Sequence, residues 1–100
     1  MFVHHVFFWL KEDLEASEVE KFETTVKSLT GISHVKLGDV GKPAPTDRPV
    51  IDNSYSYSLL LVFENEKNHD DYQVDPVHQH FVNTCASLWS RVLIYDSDTI

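Results

Sequence analysis

Residues 2–10 read FVHHVFFWL, in which every residue except two histidines is apolar and most are β-branched or aromatic. Apolar residues occupy both alternating sets of positions, so this stretch predicts a β-strand that is covered on both faces. One pleat face carries His5 with Val3, Phe7 and Trp9. The other carries His4 with Phe2, Val6 and Phe8. A strand of this kind belongs in the middle of a sheet.

The pattern around this strand predicts two amphipathic helices and a short helical turn that precedes the second of them. Ser17 and Glu20 have the spacing of a capping box and open an amphipathic helix that Gly31 ends. Further along, Asn65 caps a short helical turn that runs through Tyr72. Asp75-Pro76 then supplies an N-cap with proline in the first helical position, which predicts a second amphipathic helix to about Trp89.

Three more strands complete the predicted fold. Val35 and Leu37 mark a short second strand, residues 55–63 (YSYSLLLVF) a third, and residues 92–95 a fourth. The order β-α-β-β-α-β is that of a ferredoxin-like antiparallel sheet in an α+β protein, with both helices on one face. We expect the uncovered face to carry apolar residues of strands one, three and four, among them Phe2, Val6, Phe8, Leu10, Leu60 and Val62.

An apolar sheet face of this size is unfavourable in water, so we expect an identical chain to cover it. Two sheets packed face to face would form a dimeric α+β barrel with the helices outside. With 100 residues, the chain has room for a single domain, residues 1–100. Sixteen acidic residues against eight basic ones give a net charge of −8, which argues against binding nucleic acid.

The composition gives two further expectations about location. The apolar start meets Lys11, Glu12 and Asp13 too soon to cross a bilayer, and it lacks the features of a secretory signal, so no membrane association is expected. Cys85 is the single cysteine and cannot form an internal disulfide. A cytoplasmic protein is the default expectation.

Four polar side chains are expected to converge between sheet and helices. If Phe7 and Trp9 pack under the helices, His5 points there as well, together with Tyr57, Tyr72 and His78. The remaining lining of this predicted small-molecule pocket is apolar: Phe7, Trp9, Leu59 and Phe81. A histidine in such surroundings is neutral at pH 7 and can act as a general base, while a tyrosine hydroxyl can orient it or stabilise an enolate oxygen.

Other interpretations of these polar residues remain open. His78 and Tyr72 can be core groups that only satisfy each other's hydrogen bonds, which is the more common situation. His4 is expected to face a partner or lie at a strand end, His34 and His69 to be solvated, and Cys85 to serve packing. No metal or cofactor is expected, because His4 and His5, like His78 and His80, point in opposite directions.

Three stretches resemble the stress-responsive dimeric A/B barrel (Dabb) family, and together they extend over nearly the whole chain. They are HHVFFWLK with His5, the segment from Arg48 to Tyr57 that enters SYSYSLLLVF, and DDYQVDPVHQHF followed by WSRVLIYD. The Tyr-x-x-x-Pro-x-His spacing of Tyr72, Pro76 and His78 is the most specific part. The resemblance implies a ferredoxin-like monomer that dimerises through its sheet.

The family is related to plant polyketide cyclases of the olivetolic acid cyclase type, which perform an intramolecular aldol condensation without cofactor or metal. This resemblance implies that His78 is the base, that Tyr72 is its partner, and that the strand-one histidine is His5. A further pocket histidine of those cyclases corresponds to Tyr57 here, so the polar lining differs.

We therefore expect a homodimer that binds a small, largely apolar carbonyl or aromatic molecule. The reaction expected, if the protein is an enzyme, is cofactor-independent proton abstraction beside a carbonyl, as in a cyclase or an isomerase. The alternative is a stress-associated structural or interaction protein without catalytic activity.

Overall fold

The molecule is built on a four-stranded antiparallel sheet with the spatial order β2-β3-β1-β4. A computed structural model describes all residues from 1 to 100. The strands are β1 (Phe2–Leu10), β2 (Leu37–Gly41), β3 (Tyr57–Phe63) and β4 (Trp89–Asp98). β1 pairs with β3 on one side and β4 on the other, as expected for the most apolar strand. The predicted ferredoxin-like α+β fold is confirmed.

Three α-helices cover one face of this sheet. They are α1 (Ala16–Ser28), α2 (Glu66–Gln73) and α3 (Pro76–Cys85), and short 3-10 turns follow α1 at Leu29–Gly31 and α3 at Ala86–Leu88. No helix is both long and apolar enough to span a bilayer.

The helix starts follow the predicted chemistry in two of three cases. The Asn65 side chain accepts a hydrogen bond from the Asn68 N–H, and the Asp75 side chain accepts one from the Val77 N–H, as N-cap residues do. The prediction for the first helix was wrong in register. Its N-cap is Glu15 rather than Ser17, and the Glu15 N–H donates to the Glu18 carboxylate. Glu15 and Glu18 have the same three-residue spacing as the predicted pair, Ser17 and Glu20, and they form the capping box instead.

Several element boundaries also differ from the predictions. The second strand begins at Leu37 and the third at Tyr57, each two residues later than the pattern indicates. α3 ends at Cys85, and Trp89 already belongs to β4. β4 extends well beyond the predicted residues 92–95 because its pairing with β1 continues along the whole length of that strand.

The most consequential correction concerns which face of β1 lies beneath the helices. The structure buries the face with Phe2, His4, Val6 and Phe8, whereas the predicted helix side was the face with His5, Phe7 and Trp9. β3 was oriented correctly, with Tyr57, Leu59, Leu61 and Phe63 toward the helices. The register pairs Phe8 with Tyr57 and Phe2 with Phe63. The even-numbered β1 residues therefore lie on the same side of the sheet as these β3 residues, facing the helices.

Candidate functional site

The candidate site is a cavity of about 200 Å³ between the sheet and helices α2 and α3, on the side of β4. The helices do not fully cover β4, so Val92 and Ile94 at this edge remain partly exposed. Nine of the twelve lining residues are hydrophobic, and the full lining is His4, Val6, Phe8, Leu59, Tyr72, Gln73, His78, Phe81, Val82, Trp89, Val92 and Ile94. A few polar groups in an apolar enclosure are typical of small-molecule sites.

His78 lies in the first turn of α3, where the Asp75 cap and Pro76 fix the start of the helix. Its ring meets that of Tyr72 edge-on, with 4.8 Å between ring centroids. Burial lowers the pKa of His78, with a smaller contribution from the nearby His4, while the backbone of Gln73 acts in the opposite direction. The neutral imidazole, which can accept a proton, is therefore favoured near pH 7.

Tyr72 lies at the C-terminal end of α2 and is only 1% exposed. Burial raises the pKa of its hydroxyl, so Tyr72 is protonated at neutral pH. The hydroxyl forms none of the side-chain hydrogen bonds of the structure, although no fully enclosed side-chain N or O atom lacks a partner. Tyr72 lines the cavity, where its hydroxyl can donate a hydrogen bond to a bound molecule.

His4 supplies a second imidazole to this cavity from the middle of β1. Its Nδ1 lies 2.5 Å from Asp96 Oδ1 on the paired strand β4, and the residue is only 4% exposed. Burial lowers the pKa of His4 and outweighs the opposing hydrogen bond and charge of Asp96. The expectation that His4 faces a partner or a strand end was wrong, because it rested on the inverted orientation of β1.

His5, predicted to share the pocket with His78, lies on the opposite face of the sheet. Its ring packs against Phe7, with 4.3 Å between ring centroids. Phe7 and Trp9 line a separate cavity of about 110 Å³ on this face, together with Asp52, Tyr55, Leu93 and Tyr95. Their predicted place in the pocket beside His78 is therefore wrong, because successive strand residues point to opposite faces.

Tyr57 faces the helices as predicted but does not reach the cavity. Its hydroxyl donates a hydrogen bond to Glu23 on α1, at 2.5 Å, and Lys42 lies 3.6 Å from the same carboxylate. Burial and this neighbouring carboxylate raise the pKa of Tyr57 to about 12. Among the predicted apolar lining residues, Leu59 and Phe81 do line the cavity with His78 and Tyr72.

His69, expected on the solvated surface, is instead packed against the sheet. Its side chain is 13% exposed, and its ring lies 4.6 Å from the Phe2 ring and 4.8 Å from the His4 ring, measured between centroids. The sequence indicates that His69 faces the sheet, because it lies three residues before Tyr72 and residues three apart on a helix share a face. Asp96 could not be found in this way, since it lies outside the predicted fourth strand.

Comparison with known proteins identifies relatives of the whole chain. One curated relative is olivetolic acid cyclase from Cannabis sativa, 24% identical over 93 residues, which make up 93% of this chain and 91% of the relative. The crystal structure of At3g17210 from Arabidopsis thaliana matches with a TM-score of 0.81 at 18% identity, over 100% of this chain and 96% of the other.

A third match is described as a dimeric ferredoxin-like protein, from Thermobifida fusca YX. It has a TM-score of 0.78 at 17% identity and covers 98% of this chain and 90% of its own. The family profile named Stress responsive A/B Barrel Domain (Dabb) matches residues 2–99. The resemblance noted from the sequence is confirmed, and the chain belongs to the stress-responsive A/B barrel (Dabb) family.

Proposed function

We propose that this protein is a homodimeric enzyme that binds a small carbonyl or aromatic molecule and removes a proton from the carbon beside a carbonyl group. The observation that carries the proposal is the edge-on contact between the His78 and Tyr72 rings, both of which line the same cavity.

The proposed reaction uses the two side chains in complementary ways. An unprotonated ring nitrogen of His78 takes the proton from the carbon, and the electron pair of the broken C–H bond moves into the carbonyl to give an enolate. The Tyr72 hydroxyl donates a hydrogen bond to the enolate oxygen, where the negative charge develops. In a cyclase, the enolate carbon then attacks a second carbonyl of the same molecule, and the new alkoxide takes the proton held by His78. In an isomerase, a conjugated enolate instead takes that proton at a different carbon.

His4 takes the place that the sequence analysis assigned to His5. It lines the same cavity as His78 and Tyr72, and Asp96 holds its ring from the neighbouring strand. We propose that His4 positions the substrate through its second ring nitrogen, because Nδ1 is engaged with Asp96. His5 and Tyr57 have no proposed catalytic role.

The cavity sets the size and polarity of the proposed substrate. Its volume of about 200 Å³ exceeds the roughly 150 Å³ of an engineered apolar cavity that binds benzene. A molecule with a single ring therefore fits, and a longer substituent can extend past the partly exposed Val92 and Ile94. The relative olivetolic acid cyclase is by its name a cyclase, which supports a substrate that can be closed into a ring.

Dimerisation is proposed to occur through the sheet face opposite the helices. That face carries large, partly exposed apolar residues on adjacent strands, including Phe7, Trp9, Leu93 and Tyr95. A matching face on a second chain would remove them from water. The description of a structural neighbour as dimeric supports a homodimer. The cavity beside His78 lies on the other face and remains open in such a dimer.

The test uses a panel of linear polyketide-like ketones and single-ring aromatic acids with wild type, His78→Asn and Tyr72→Phe. We expect wild type to bind at least one compound saturably and convert a ketone substrate. Removal of the base should reduce kcat by about 100- to 10,000-fold with binding largely retained. His80→Gln, which changes an exposed residue of the same helix, is the matched control and should behave as wild type.

Turnover that is equal in wild type and His78→Asn would exclude the proposed base. The non-catalytic alternative predicts a different set of results: no compound is bound or converted, and His78→Asn and Tyr72→Phe both lower the melting temperature by several degrees. A Tyr72→Phe variant with an unchanged melting temperature but reduced turnover would place the hydroxyl in catalysis.

A further inference from the structure

Three side chains of types that can bind metals come together from three separate elements, and one of them, His4, lines the cavity. His4 comes from β1, His69 from α2 and Asp96 from β4. One potential ligand atom from each residue lies within 4.8 Å of the other two. None of the three is adjacent to another in sequence, and the fold alone brings them together.

We infer that His4, His69 and Asp96 form a binding site for a divalent transition-metal ion, with Zn²⁺ as the representative. Two imidazoles and one carboxylate are a common ligand set for zinc and its neighbours in the first transition series, whereas Mg²⁺ and Ca²⁺ prefer oxygen ligands. Three protein ligands leave at least one coordination position free, as in catalytic rather than structural zinc sites. The site shares His4 with the cavity of the proposed function, but it does not require that the protein is an enzyme.

The two imidazoles are held in place before any ion binds. His4 is 4% exposed on the central strand. The His69 ring is packed between the rings of Phe2 and His4, with a third aromatic contact to Phe63 at 5.6 Å. Ligands with fixed orientations lose little conformational entropy when a metal binds.

The His69 ring also has a carboxylate beside one of its nitrogens, as metal-bound histidines usually do. Its Nδ1 lies 3.2 Å from Asp70 Oδ1, and its Nε2 lies 3.2 Å from the side-chain amide nitrogen of Gln73. A carboxylate that accepts the Nδ1 proton leaves the lone pair of the ring on Nε2. The Gln73 amide would have to move aside, which a glutamine side chain at the edge of a cavity can do.

Asp96 is the adjustable member of the cluster. Zinc bonds of about 2.0–2.2 Å place tetrahedral ligand atoms about 3.3 Å apart, so the cluster must rearrange slightly around an ion. The Asp96 side chain is 41% exposed, and His4 is its only ion-pair partner. Its carboxylate can therefore move from the imidazole to a metal without disturbing another contact.

The test is a calorimetric titration of chelator-treated full-length protein with zinc chloride at pH 7.5. We expect one zinc ion per chain in wild type. His69→Phe keeps a stacking ring but removes the ligand nitrogen, and Asp96→Asn keeps the shape but removes the charge. Each should weaken zinc binding by at least about 100-fold, whereas Asp70→Asn, which acts through His69, should weaken it by about 10-fold. Magnesium chloride should produce no binding.

The matched control is His80→Gln, which removes an exposed histidine and should leave zinc binding unchanged. The inference is overturned if wild type binds no zinc, if His69→Phe binds as wild type does, or if His80→Gln loses the binding. X-ray absorption at the zinc edge of the wild-type protein provides a check that does not depend on the folding of a variant. A zinc coordination shell without two imidazoles would also overturn the inference. Because none of these measurements involves turnover, they separate this inference from the proposed enzyme activity.

Discussion

The two faces of β1 are nearly equal in apolar character but differ in environment. Phe2, Val6 and Phe8 lie in the core beneath the helices with His4 among them. Phe7 and Trp9 lie on the opposite face with His5 and are only half buried within the chain. Each face contains one histidine, but only His4 is close to Tyr72 and His78.

This difference shows that two residues adjacent in a strand can have different roles because they lie on opposite faces of the sheet. Neighbouring histidines on β1 are separated by the whole thickness of the sheet, so only one of them can share a cavity with α2 and α3. The face beneath the helices provides the candidate site, and the face without helices provides the proposed dimer interface. Experiments that alter one face at a time can separate these roles.

The largest effect is expected from truncation on the helix face. Phe8 is 2% exposed and packs against Phe22 and Phe81. Phe8→Ala should lower the free energy of unfolding by about 3–5 kcal/mol because it removes buried contacts and leaves a cavity. Urea denaturation monitored by circular dichroism measures this change.

Phe7→Ala, one residue away on the open face, is the matched variant. It should cost about 1–2 kcal/mol at low protein concentration, because this side chain is only half buried within one chain. The loss should increase with protein concentration, since the wild-type dimer becomes more populated. Equal losses for the two variants at every concentration would contradict the proposed division between core and interface.

An intermediate effect is expected from a charge placed on the open face. Leu93 is paired with Phe7 and shares its face. Leu93→Glu should bury an unpaired carboxylate in the proposed interface, so sedimentation equilibrium should give the mass of a single chain with secondary structure retained. Ile94→Glu alters the other face of the same strand and should leave the dimer mass unchanged. If both variants remain dimeric, the interface lies elsewhere.

The smallest effect is expected from pH. Burial lowers the pKa values of His4 and His78 on the helix face and of His5 on the open face. The unfolded chain therefore binds more protons than the folded chain near the ordinary histidine pKa of about 6.5. The free energy of unfolding should fall as the pH drops from 8 to 6 and should level off above the unfolded pKa.

Melting temperatures of chelator-treated protein at pH 8 and pH 6 measure this dependence. Carboxylates do not interfere, because they titrate mainly below about pH 5. His78→Asn removes one of the three contributions and should reduce the difference between the two temperatures. A higher melting temperature at pH 6 than at pH 8 would show that the imidazoles are stabilised in their charged form.

The sequence predicted the elements and their order because those signals are local. Asn65 and the Asp75-Pro76 pair predicted the starts of two helices, because helix capping involves only neighbouring residues. The Tyr72 and His78 pair was also predictable, since a short spacing across one helix junction brings the two rings together. The orientation of β1 could not be predicted, because both of its faces are apolar and periodicity does not show which of them lies beneath the helices.

The amino-acid sequence by itself determined a ferredoxin-like α+β fold, an acidic surface and the meeting of Tyr72 with His78. Only the tertiary structure decided that His4 rather than His5 faces the cavity, and that His69 and Asp96 lie beside His4. The physical reason is that strand pairing fixes the face of every β1 residue at once, through hydrogen bonds to residues of β3 and β4 that are far away in the chain.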